Sequence, residues 1–450
     1  MSVFVSVATA WSASVAFGCA ASSDDECTST ACAEGDASSG SASASASSEG
    51  GDTSGAMSSS GADGGETTTD GGAEDTGTGG PPGQTCASAA VLRDVSLFQV
   101  VEVPLVQGCA EVDPTARRTI VADRVAVVRA RIEASTLAAG TELALRLEIG
   151  DQVLTGSCVD VGGQASAPLL VDVPAGAVAA DADYAVSVID CAAPDVAALD
   201  GFPASGRADL GVDTMAPIRL HLVPFEVGGF VPDTSPAVID GFRDAVLAMY
   251  PVADVQITVA DVEPDDNGGQ VDMGNLMFRL IALQEELVFA SGDLDPSVAD
   301  IYYYGLVTGA ATREEFCDTC PTGTSESGVG DRAGSAVGAA FADALSESTL
   351  VHELGHMHGL LHSPCGDPSL QDDAFPHADG STQTEGWDFR TGTFVPPDHH
   401  DLMGYCQPRW VSGYHYDKMV EWVHLAASWS GAGDVAPPPG AGRGAIACGH

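Results

Sequence analysis

Lysine is all but missing from this chain. One residue of 450 is lysine, Lys418, and with the arginines only 17 cations stand against 64 carboxylates, a formal charge of −47. A surface of that sign repels phosphate backbones and anionic lipid, so nucleic-acid binding and electrostatic membrane attachment are not expected. Aromatic residues are scarce at 6%, and none is interleaved with basic residues in a patch. Beyond the N-terminus no stretch of about 18 apolar residues occurs, which excludes a later membrane-spanning helix. A phosphate-cradling glycine loop and a serine nucleophile elbow are likewise absent.

What is present divides the chain into five parts. Residues 1–19, MSVFVSVATAWSASVAFGC, are apolar and small, then abruptly polar, as in an export signal. Gly18-Cys19 makes an imperfect lipoprotein box, although Phe17 fits it poorly and no cation precedes the apolar stretch. A protein exported to the cell surface or beyond is expected, with Cys19 a candidate for a lipid anchor. Residues 20–85 are almost wholly Ser, Gly, Ala, Thr, Asp and Glu, and no cation precedes Arg93. Such a segment has too little apolar surface to offset chain entropy, so a disordered acidic tether is expected.

Residues 86–210 change character. TELALRLEIG alternates Leu143, Leu145, Leu147 and Ile149 with other residues, and TIVADRVAVVRARIEA and YAVSVIDCA read as further strands. A β-sandwich-like unit follows, either an accessory domain or a propeptide. The segment 201–214 reads as an exposed connector, with Arg207 a conceivable processing point. Residues 216–430 alternate strands and helices: IRLHLVPF, then a helix capped by Ser235 with Pro236 in its first turn, DVQITVADVE, then a second helix, DIYYYGLV and a third helix. In the second helix Leu276, Leu280, Leu283 and Leu287 share one side. A final helix is expected over 418–429, and residues 431–450 form a loose Pro/Gly-rich tail. The fold class is therefore α+β.

Twelve cysteines point to an oxidising compartment. Cys86 with Cys109 and Cys158 with Cys191 are plausible local bridges. Cys317, Cys320, Cys365 and Cys406 are expected to form bridges around a cleft, although the CxxC of Cys317 and Cys320 also permits redox chemistry or a metal site.

The third helix carries HELGHMHGLLH, residues 352–362. His352 and His356 lie one turn apart on one face, so both imidazoles can reach one ion. Glu353 is placed to take a proton from metal-bound water. Gly359 can turn left-handed, end the helix and return His362 as a third ligand. Three ligands leave a fourth position open, as catalytic zinc requires. Leu345, Leu350, Val351, Leu354, Met357 and Leu360 supply an apolar face, with Ser346 or Ser348 as N-cap.

With HHDLMGYC at 399–406, the chain resembles the metzincins, zinc endopeptidases whose long histidine motif is followed by a Met-turn. That resemblance covers roughly residues 216–430. It implies a metzincin-like catalytic domain: an N-terminal lobe with a mixed sheet, and a smaller C-terminal lobe. It also implies Met403 as an apolar floor below the imidazoles, and Tyr405 as a metal ligand or oxyanion donor. AMYPV (248–252) and YCQPRWVSGYHY (405–416) are similar to segments of secreted bacterial metzincins related to mucin-cleaving peptidases.

The expected function is extracytoplasmic zinc-dependent cleavage of proteins or glycoproteins, with His352, His356 and His362 on Zn2+, and Glu353 as general base. The alternative is a cell-surface glycan- or protein-binding lipoprotein with a secondary or inactive peptidase lobe. His399 and His400 are read as exposed loop residues. The acidic loop EPDDNGG (263–269) offers Ca2+ ligands but lacks the EF-hand register.

Overall fold

The fold is that of a computed structural model, which describes residues 17–20 and 90–430, except 135, 163, 266–267, 317–320, 327, 329–330 and 367–368. The acidic segment from residue 21 to 85 and the tail 431–450 lie outside the described residues, as do Cys86, Cys317 and Cys320. All described residues fall in one compact unit.

The β-rich region is built mainly on two antiparallel sheets. One has the strand order Ala167–Val173, Ala126–Glu133, Val91–Phe98, Glu102–Gln107, Ala110–Glu111; the other Asp200–Phe202, Asp183–Asp190, Glu142–Ile149, Gln152–Thr155. Alternation decides their faces: along Ala167–Val173 every second side chain is buried. Leu97, Leu105 and Ile132 from the first sheet meet Leu143, Leu145, Leu147 and Tyr184 from the second in one apolar cluster. The Cys158–Cys191 bridge forms as expected, and Cys109 is disulfide-bonded. The segment 201–214 is exposed at residues 204–207, as a connector would be, but it is anchored on either side. Phe202 and Leu210 are buried, and its short strands pair with Asp183–Asp190 and Ile120–Val121. Arg207 is held by Asp183, Glu148 and the Gly150 carbonyl. Apolar side chains in a Gly/Asp-rich stretch were enough to pin it.

The second region is built on a mixed sheet. Strands Val255–Val259, Ile218–Val227, Ile301–Val307 and Ser335–Ala339 run parallel in that order, and Pro321–Glu326 adds antiparallel at the edge. The short strand Phe17–Ala20 pairs antiparallel along the outside of Pro321–Glu326. Helices Pro236–Met249 and Met273–Val288 lie in the connections between parallel strands, as crossovers require. Period-two alternation loads both sheet faces: Tyr302, Tyr304 and Leu306 join one cluster, Tyr303 and Val307 another. On helix Met273–Val288, Leu276 and Leu280 are buried as expected, but Leu283 is only partly buried and Leu287 is 45% exposed. The helix therefore contacts the sheet along a narrower face than its leucine spacing suggests. The last helix spans Gly413–Trp429 and begins five residues before the expected start, because Ser412 caps it through His415 N.

The two regions share contacts and core. Trp410 Nε1 donates to the Val100 carbonyl at 2.9 Å, Tyr416 to the Thr119 carbonyl at 2.9 Å, and Glu102 N to the Glu385 carbonyl at 2.8 Å. Phe98, Val127 and Trp387 form one cluster across the junction. Arg124 is buried and donates to the carbonyls of Leu247, Tyr250 and Val252 at the end of helix Pro236–Met249. The residue four beyond Leu247 is Pro251, which has no N–H to give. Arg124, reaching from the β-rich region, supplies that missing donor.

Candidate active site

The helix Ala344–Met357 carries the histidine motif and is buried along almost all of its length from Thr349 onward. Its N-cap is Asp343, not Ser346 or Ser348: Asp343 Oδ1 accepts from Ser346 N at 2.8 Å and is clamped by Arg313. An ionised carboxylate is favoured there by the helix dipole and the arginine, so it displaces a neutral hydroxyl from the role. Ser346 instead accepts from Phe341 N at 2.8 Å. The helix stops at Met357, and Gly359 takes φ +70°. The Gly359 amide bonds back to the His356 carbonyl at 2.8 Å, and the chain reverses to present His362.

His352, His356 and His362 converge as the motif implies. Their candidate ligand atoms all lie within 4.8 Å of one another, and His356 Nε2 stands 3.0 Å from His362 Nε2. Each ring is fixed from behind. His352 Nδ1 donates to the Leu402 carbonyl at 2.9 Å, His356 Nδ1 to the Leu360 carbonyl at 2.8 Å, and His362 Nδ1 to the Ser369 carbonyl. A carbonyl only accepts, so the proton sits on Nδ1 and the Nε2 lone pairs point inward. Two facing lone pairs 3.0 Å apart repel unless a cation lies near both. Tetrahedral coordination at ~2.05 Å per nitrogen separates ligand atoms by about 3.3 Å, a spacing close to the one here. Burial pushes all three imidazoles toward the neutral form, His356 down to about 3, and the neighbouring imidazoles push the same way for the first two. Neutral imidazole is the ligating form. The trio therefore fits a metal ion.

Glu353 is buried beside them. The edge strand Pro321–Glu326 closes over its carboxylate at Gly323, where a Cβ would come within 2.4 Å of Glu353 Oε1. Only glycine lets that backbone pass so near. Met403 is fully buried, and a Cβ at Gly355 would meet its sulfur at 2.4 Å. Met403 thus rests on the histidine helix at Gly355, which lies between His352 and His356 in the chain. Tyr405 Oη lies 3.3 Å from His362 Nε2, within reach of anything bound at the trio.

Cys365 and Cys406 form a bridge, which ties the segment after His362 to the segment after Met403. Tyr405 N donates to the Cys365 carbonyl at 2.9 Å, so the bridge and this bond together seat Tyr405. His400 is half-buried, not an exposed loop residue, and its Nδ1 is 3.5 Å from Cys365 Sγ. His399 is also half-buried. Neither joins the trio. In the acidic loop, Glu263 and Asp265 pair with Arg279. Among the described residues that loop forms no cluster of three metal-ligating side chains.

Sequence reasoning passed over two buried polar residues near the Met-turn. Asp401 and His415 are both fully buried and bonded to each other at 2.7 Å. Asp401 belongs to the motif HHDLMGYC, two residues before Met403, and that adjacency is its signal in the sequence. It also passed over His358, buried among Tyr250, Tyr302 and Trp422 with neither ring nitrogen hydrogen-bonded to a described residue.

Residues 285–420 match the family model for Peptidase M66. The match contains the three histidines, Glu353, Met403 and Tyr405. No curated protein matches the chain. Among solved structures, one described as a candidate β-galactosidase from Bacteroides fragilis aligns at 9% identity and a TM-score of 0.15. That alignment covers 52% of this chain and 36% of the other, and at so low a score it carries no argument. The family match, falling on the residues that hold the metal-fitting trio, supports a metallopeptidase.

Proposed function

We propose that the chain is a zinc-dependent endopeptidase of metzincin type, exported from the cell and acting on proteins or glycoproteins. One observation carries this reading: three neutral imidazoles, each locked by an Nδ1–H bond to a backbone carbonyl, bring their ligand atoms together on the helix that also carries the buried Glu353. Zinc bound by His352, His356 and His362 would polarise a scissile carbonyl and make water acidic enough to attack near neutral pH. Glu353 takes the proton from the attacking water and passes it to the leaving amine. Tyr405 donates its hydroxyl toward the oxyanion. The pairing of Phe17–Ala20 with Pro321–Glu326, Cys19 opposite Gly323, supports a mode of substrate binding. An extended peptide added to that edge would run past Glu353.

We read the β-rich region as a permanent accessory domain of sandwich type, not a propeptide, because Arg124 and the Trp410 bond tie it into the peptidase region. The experiment is digestion of a mixed peptide library by the purified chain, with and without a zinc chelator. Glu353→Gln should retain metal and lose about 10²–10⁴-fold in kcat/KM. Undiminished hydrolysis by that variant, or by chelated protein, would end the proposal.

A further inference from the structure

Asp401 sits with no exposed surface between the Met-turn and the final helix. Its Oδ1 accepts from Met403 N at 2.8 Å and from His415 Nδ1 at 2.7 Å, and its Oδ2 accepts from Ser412 N at 2.9 Å. Its own amide donates to the Gly380 carbonyl at 2.8 Å, and its carbonyl accepts from Gly404 N at 2.9 Å. Five hydrogen bonds thus converge on one residue in a site without water access. His415 is as fully buried as Asp401. A buried carboxylate is costly unless it is paired and its oxygens are filled, and here both conditions are met.

The residue after Asp401 is Leu402, whose carbonyl receives the Nδ1–H of His352. The residue after that is Met403, whose sulfur lies against Gly355. Asp401 therefore holds three consecutive residues, of which one orients a ring of the trio and the next forms its floor. A shift of the turn would move both together.

We infer that the Asp401–His415 pair is a buried clamp that fixes the Met-turn and, through the Leu402 carbonyl, the tautomer and orientation of His352. Asp401 is in this sense a positioning residue for the metal site. The inference rests on the zinc reading above and deepens it. Carboxylates and carbonyls behind ligating imidazoles typically change metal affinity about 10–100-fold when lost. Here the carboxylate acts one peptide unit further back, through a backbone carbonyl.

The test uses the full chain stripped of metal. Zinc affinity is measured by competition with a chromophoric chelator, and the cobalt(II) form is examined by visible absorption, which reports ligand geometry independently of turnover. Asp401→Asn keeps size but faces one donor with an amide. His415→Ala removes the partner, and His415→Gln restores an N–H to Asp401. For Asp401→Asn and His415→Ala the zinc Kd should rise about 10–100-fold, with displaced cobalt bands, and His415→Gln should recover most of both. Should Asp401→Asn fail to fold, the His415 pair decides by the same readouts. Folded Asp401→Asn and His415→Ala proteins with unchanged Kd and cobalt spectrum would overturn the clamp, however far their Tm falls. A wild-type chain that takes up neither metal would instead sink the zinc reading and this inference with it.

Discussion

The imidazoles illustrate how burial selects a protonation state. His352, His356 and His362 need to be neutral to bind a cation, and a low-dielectric surround favours that form. Replacing His356 by alanine removes one of the three proposed ligands, so stoichiometric metal should be lost; elemental analysis of the purified variant checks it. Full metal occupancy in that protein would contradict the ligand set.

His358 makes a different point. It lies in the same motif but faces Tyr250, Tyr302 and Trp422, and burial takes it down to about 3. The unfolded chain protonates this ring near its ordinary value of ~6.5. Between the two values the unfolded state binds the extra proton, so folding stability falls as pH drops through that window. His358→Phe should therefore flatten the pH dependence of unfolding between pH 6 and 4, by up to about 1.4 kcal/mol per pH unit. Urea titrations of the metal-free proteins provide the comparison, and parallel curves would refute the argument.

Among elements, the histidine helix was legible because its motif sets side-chain spacing, and 3.6 residues per turn does the rest. Its capping was not. Asp343 won over two serines because Arg313 approaches from another segment, and no local rule encodes that. Gly355 shows a similar limit. Within the motif it reads as a mild helix weakness, yet it provides the gap that Met403 fills. Gly355→Ala gains about 1 kcal/mol in helix propensity and costs about 1–3 kcal/mol in overpacking against a buried sulfur. The net effect should be destabilising by up to about 2 kcal/mol, with weaker metal binding because the floor is displaced. A variant with higher Tm and unaltered metal affinity would show that the gap has slack.

The whole molecule depends on its seam. Arg124 is buried with its guanidinium on helix carbonyls; burial takes it down to about 10, still well above neutrality, so it stays charged. Arg124→Met keeps the bulk and removes the donors, leaving carbonyls of Leu247 and Val252 without them. Each buried unsatisfied group costs about 1–3 kcal/mol, so a loss on the order of 3 kcal/mol is expected. Chemical denaturation should show it as a single transition for both regions. Two separate transitions in the wild-type chain would mean that the β-rich region folds independently and that Arg124 matters little.

The sequence alone determined most of the elements and the candidate reacting groups. Apolar periodicity dictates which face of a strand or helix is buried, and the spacing of His352, Glu353 and His356 places them on one turn whatever surrounds them. Even the return of His362 follows from a local property, the freedom of Gly359 to take positive φ. Tertiary structure decided what holds those groups in place. The Leu402 carbonyl behind His352, the glycines under Glu353 and Met403, the Asp401–His415 pair and the Arg124 contact join residues from separate segments of the chain. Their physical basis is desolvation: a polar group must find a partner once it is buried, and which partner is near depends on how the segments pack.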